Sequence, residues 1–233
     1  MFNSSSIIRF LSGLIIFTLV LTACQNNQLE TEHFIYKLVG KQSHPPTALM
    51  DDLESEYARI TELLNVKTKK KLKIIIYASH EDYIKKTGLP SWSVGGYSPN
   101  GLILSPEYDK LVAVHELTHV LINRINRKTP RWLNEGIATY IAKDLPMSMQ
   151  ELRNEVKLYM IPPFSSYRIV DPTEFMNIKG YHMSCSMIDF IVSEYDWERL
   201  LQLIRSPYDF EGVFQMSGDE FWNKWKEYLE KND

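Results

Sequence analysis

The sequence predicts an α+β fold, with a small mixed αβ lobe first and a helical lobe after it. Three observations predict this. As far as Leu104, short apolar runs of strand character alternate with segments of helical period. From Glu107 onward every long periodic segment has helical spacing. The change falls at one apolar stretch, Leu111 to Ile122, which carries His115, Glu116 and His119. A helix there would lie at the cleft between the two lobes.

The chain has 233 residues, of which 44% are hydrophobic and 24% charged, the balance of a globular protein with a good-sized core. A formal charge of −3 with no basic block gives no sign of a nucleic-acid partner. The N-terminus reads differently. Arg9 precedes the apolar run Leu11 to Leu21, and Leu21-Thr22-Ala23-Cys24 closes it. This resembles the lipobox of bacterial lipoproteins. The resemblance implies cleavage before Cys24, a lipid on its sulfur, and a place on the extracytoplasmic face of the cell membrane. An uncleaved membrane anchor competes, but the run is shorter than the about 20 apolar residues of a typical span. The expected organisation is a signal peptide over 1–23, a polar tether over 24–32 and a single domain over 33–233. That domain divides into an αβ lobe, 33–127, and a helical lobe, 128–233. With Cys24 lipidated, Cys185 has no partner for a disulfide and reads as a small buried hydrophobe.

Within the domain, His33 to Leu38 reads as a first strand and Ala48 to Val66 as a helix. The helix buries Leu49, Leu53, Tyr57, Ile60 and Leu64. Leu72 to Tyr77 suits a central strand. The basic cluster Lys67 to Lys73 before it is a solvated strand start, or a contact for anionic headgroups. His80 to Lys86 makes a short helix stopped at Gly88-Leu89-Pro90. Trp92 to Ser105 is rich in turn residues between short apolar runs and predicts a strand pair leading into the motif helix. Gly95, Gly96 and Tyr97 sit on the first of these strands. Its free edge could pair with an extended substrate backbone or be plain structural edge. Helices are then expected over Glu107 to Arg127, Trp132 to Lys143, Met147 to Tyr159, Tyr181 to Trp197, Glu198 to Ile204 and Gly218 to Leu229. A proline-punctuated loop covers Ile161 to Pro172.

The chemistry concentrates at His115-Glu116-Leu117-Thr118-His119. Residues four apart share a helix face, so both imidazoles can point at one zinc ion, and Glu116 can reach a water on the same metal. The competing reading is a core helix that happens to carry these residues; a glutamate is rarely buried without a partner. A catalytic zinc needs a third protein ligand. A metzincin would continue His119-x-x-G-x-x-H, but those places hold Ile122 and Ile125. Glu135, on the following helix, is the alternative source. Gly136 and Ala138 beside it would let two helices approach closely.

His115 to His119, with Trp132-Leu133-Asn134-Glu135-Gly136-Ile137-Ala138-Thr139-Tyr140, resembles the gluzincin metallopeptidases, the thermolysin-like clan. The likeness is firm over 92–141 and weaker either side. It implies one zinc ion held by His115, His119 and Glu135, and Glu116 as general base and acid. It also implies Gly95, Gly96 and Tyr97 on a substrate-aligning edge strand, and a peptide or protein as substrate. For the oxyanion it points to Tyr181, then His182, with Tyr140 and Tyr167 as weaker rivals. Two departures matter. Thermolysin orients its first histidine with an aspartate four residues after the glutamate ligand, where this chain has Thr139. The G-x-M-E-N motif of aminopeptidases is missing, which favours an endopeptidase. A zinc-containing, peptide-binding lipoprotein without turnover is the other class compatible with these residues.

Overall fold

The computed structural model describes residues 28–40, 45–168 and 171–231. The expected signal peptide and Cys24 lie outside them. Among the described residues no helix is long and apolar enough to cross a membrane.

The αβ lobe is built on a five-stranded mixed sheet of order β1-β2-β3-β5-β4. Strand β1 (Gln28–Glu30) pairs antiparallel with β2 (Phe34–Val39), so the end of the expected tether is part of the sheet. Helix α1 (Thr47–Leu63) crosses from β2 to the parallel strand β3 (Leu72–Tyr77). The period of two is plain in both strands. Phe34, Tyr36 and Leu38 of β2, and Leu72, Ile74 and Ile76 of β3, are buried. Helix α2 (His80–Thr87) starts on Ser79, whose side chain accepts from Asp82 N–H, and ends on left-handed Gly88. The expected strand pair follows as β4 (Gly95–Ser98) and β5 (Gly101–Leu104). Strand β5 runs parallel to β3, and β4 is left at the sheet edge.

Helix α3 (Lys110–Ile125) is capped by Asp109, whose carboxylate accepts from Val112 N–H at 2.8 Å. Every residue from Ala113 to Ile122 is buried, the pattern of a helix enclosed on all sides. It packs against α1, β4 and β5 on the αβ side and against α4 (Arg131–Ala142) on the other. Buried apolar residues from Phe34 to Leu229 therefore form one continuous cluster through both lobes.

The helical lobe contains α5 (Met149–Lys157), a 3-10 turn (Phe164–Arg168), α6 (Pro172–Asn177), α7 (Gly180–Glu194), α8 (Trp197–Arg205), α9 (Phe210–Phe214) and α10 (Gly218–Lys231). The short helices α6 and α9 are additions to the sequence reading; too few residues carry a period at that length. Gly136 allows a close helix contact, but against α7 rather than α3. A Cβ there would lie 2.7 Å from the Ser184 carbonyl oxygen. Buried Asp189 of α7 ties three helices together. It accepts from Arg153 Nε of α5 at 2.7 Å and from the Tyr228 hydroxyl of α10 at 3.0 Å. Cys185 is fully buried in the same helix, and burial pushes its thiol well above the ordinary range.

Candidate metal centre

Two adjacent helices bring His115, His119 and Glu135 together. One ligand atom from each lies within 4.8 Å of the others, and all three residues are buried. The distances are tighter than that bound. His115 Nε2 and His119 Nε2 are 2.9 Å apart, and Glu135 Oε2 lies 3.4 Å and 3.2 Å from them. A tetrahedral ion with bonds of about 2.0–2.1 Å needs ligand atoms about 3.3 Å apart; the two distances to Glu135 match this, and the two imidazole nitrogens sit closer than it, at 2.9 Å.

The outward atoms of the three side chains decide what the inward atoms can be. His119 Nδ1 is 2.9 Å from Asn134 Oδ1, while Asn134 Nδ2 donates to the Tyr97 hydroxyl at 3.4 Å. His115 Nδ1 is 2.7 Å from Asp144 Oδ2, close in distance but without the alignment of a full hydrogen bond. Inferred from these partners, both Nδ1 atoms carry the proton and both Nε2 atoms present a lone pair. Two lone pairs and a carboxylate oxygen thus face one another in a buried space. Such a set requires positive charge between its members, and a divalent cation fits it.

The neighbouring carboxylates also make the His115 ring a strong proton acceptor, so a proton and a cation compete for the same nitrogen. Burial lowers the proton affinity of His115, yet the Asp144 and Glu135 carboxylates outweigh it and hold the imidazole well above its ordinary value. Burial opposes ionisation of Glu135, but the two histidines hold its carboxyl far below the usual range. Glu116 shows the reverse. Burial pushes its carboxyl up, assisted by Glu135 and Asp144 and offset by His119 and His115.

These groups line a cleft of about 440 Å³, walled on one side by the segment Leu89 to Tyr97 and on the other by α4 and α7. Strand β4 lies directly on the motif helix. Its alternation turns Gly95 and Tyr97 to α3, and Gly96 to Leu89 and Tyr83. The Tyr97 ring sits 4.6 Å from the His119 ring. Ser105 N–H donates to Val94 C=O, so by antiparallel alternation Gly96 and Ser98 bond to β5, and the main-chain groups of Gly95 and Tyr97 face the free edge. Ser93 Oγ donates to the Gly95 carbonyl at 2.7 Å.

Tyr181 and His182 also line the cleft, at the start of α7. Burial and then the Glu135 carboxylate push the Tyr181 phenol up, so its hydroxyl stays a proton donor. Burial lowers His182, whose ring lies 6.2 Å from that of Tyr159. Tyr167 is fully buried, with its hydroxyl on Met183 Sδ, and does not line the cleft. Tyr140 packs 6.4 Å from Trp197, also away from the cleft.

Three residues at the centre went unassigned in the sequence. Asn134 and Arg131 were legible in principle, being on the ligand helix one residue and one turn before Glu135. Asp144 was not. It follows left-handed Lys143 (φ 56°), and only that turn carries it back to His115. Thr139 lines the cleft but does not take the aspartate's part. No family model matches the chain, and no curated protein does either.

Proposed function

We propose that this protein is a zinc metallopeptidase, acting as an endopeptidase on peptides or proteins and tethered by a lipid on Cys24 at the extracytoplasmic face of a bacterial membrane. The observation that carries the reading is the buried convergence of His115, His119 and Glu135 beside Glu116, in a cleft with a free strand edge. Bound there, zinc would supply Lewis-acid polarisation of a carbonyl and a water acidic enough to ionise near neutral pH.

The chain's own residues account for the rest. An extended substrate adds to β4 through the outward main-chain groups of Gly95 and Tyr97. Ser93 already occupies one lone pair of the Gly95 carbonyl, which leaves Tyr97 as the less encumbered pairing position. The Glu116 carboxylate takes a proton from the attacking water and returns it to the leaving amine. Its raised proton affinity suits a group that must both accept and give. The Tyr181 hydroxyl donates to the oxygen on which negative charge develops. No carboxylate equivalent to the aminopeptidase motif lies on β4, where the residues are Gly95, Gly96, Tyr97 and Ser98. This supports the endopeptidase reading over an aminopeptidase one.

The test is cleavage of a mixed peptide library by the detergent-solubilised full-length protein, with and without chelator. Glu116→Gln should keep stoichiometric zinc and lose cleavage; cleavage at the wild-type rate would sink the mechanism. Glu135→Ala should lower zinc content, and full retention would remove it as a ligand. Chelator-sensitive zinc with no cleavage of any peptide would leave a binding protein instead.

A further inference from the structure

Arg131 begins α4 one turn before Glu135, and its Nη1 donates to Glu135 Oε1 at 2.9 Å. The carboxylate is thereby divided, with Oε2 turned to the two histidine nitrogens and Oε1 to the guanidinium. The Arg131 side chain is only 22% exposed, and its Nε is buried without a hydrogen-bond partner. It is held from behind by Phe175 of α6, whose ring centroid lies 5.9 Å from the guanidinium carbon. Phe175 is itself fully buried, and its ring also lies edge-on to Tyr181 at 5.2 Å. Gly180 makes room for that ring, since a Cβ there would come within 2.7 Å of it.

We infer that Arg131 is a positioning residue that presents a single oxygen of Glu135 to the histidine pair, and that Phe175 supports both Arg131 and Tyr181 from one ring. The inference rests on the metal-centre reading above. The alternative is an Arg131 that only neutralises Glu135. The two differ in sign. A cation beside a metal site repels the metal, so removing a mere neutraliser tightens zinc binding. Removing a partner that orients a ligand weakens binding by about 10–100-fold.

The experiment measures the zinc dissociation constant of the full chain by chelator competition, together with the visible spectrum of the Co²⁺ form. Wild type should bind one zinc, and His115→Ala should lose it. Failure of that control removes the metal-centre reading itself, whatever Arg131 does. With the control met, Arg131→Met should bind zinc about 10–100-fold more weakly and alter the Co²⁺ spectrum. Arg131→Lys, which keeps the charge and a donor, should recover part of the loss. Unchanged or tighter zinc binding by folded Arg131→Met overturns the inference. If Arg131→Met does not fold, Phe175→Leu takes its place. It should weaken zinc severalfold and lower kcat with KM little changed, because ligand and hydroxyl lose their common support. Wild-type values for both would overturn the inference equally.

Discussion

A Cβ on Gly95 would lie 3.0 Å from Glu116 Oε1, 3.0 Å from Glu116 Cγ and 2.5 Å from Val112 Cγ1. The strand that walls the cleft and the carboxylate proposed to move the proton are thus in direct contact, and glycine permits it without displacing either neighbour. The neighbours are side-chain atoms, which can give way. Gly95→Ala should therefore fold, with a loss of about 1–3 kcal/mol from overpacking. Zinc should still bind while cleavage falls at least about tenfold, since a misplacement near 1 Å is costly to reacting groups. Denaturant titration, metal analysis and the cleavage assay check the three parts. Wild-type cleavage would show that Glu116 has room to spare.

Asp144 Oδ2 stands 2.7 Å from His115 Nδ1, where a carboxylate could orient the ring for the proposed zinc ion. Asp144→Ala should weaken zinc by about 10–100-fold, as loss of a partner behind a metal-bound histidine generally does. Thr139→Val should change affinity far less, because its hydroxyl is not what faces that nitrogen. Equal losses in the two variants would return the orienting role to Thr139.

Tyr181→Phe removes one hydroxyl and leaves the ring against Phe175. Loss of a single oxyanion donor should lower kcat by about 10²–10³, with zinc content unchanged. His182→Ala should have the smaller effect. If the two are reversed, the donor is His182.

Far from the cleft, Glu54 accepts from His33 N–H at 2.9 Å and pairs with the His33 ring at 2.5 Å. Burial raises the Glu54 carboxyl, but these contacts outweigh it and the folded value lies below the ordinary 4.5. A depressed carboxylate contributes stability above its unfolded pKa, and loses it as pH falls through the folded value. Glu54→Gln should therefore be less stable than wild type at pH 6, and the gap should narrow as pH falls below the ordinary carboxyl value and through the depressed folded one. Denaturation midpoints across pH 3–6 measure it. A gap independent of pH would mean that packing, not charge, is at stake.

Much of the fold was legible because its signals are local. The alternation in β2 and β3, Ser79 with Gly88 around α2, and the turn residues between β4 and β5 each act within a few residues. The short helices α6 and α9 escaped, and so did β1, whose three residues become a strand only by pairing with β2. At the centre, His115, Glu116 and His119 were legible from the H-E-x-x-H pattern on a helix, and Glu135 from the need for a third ligand and the small residues beside it.

Sequence by itself determined the kinds of group available and the elements that carry them, because helix period and capping depend on near neighbours. Tertiary structure decided which groups meet. Asp144 reaches His115 through a left-handed turn at Lys143, Arg131 meets Phe175 across two helices, and Gly136 answers to α7 rather than α3. Each of these contacts depends on the direction a chain takes after an element ends. That direction is set by what the whole core can bury, and no local pattern encodes it.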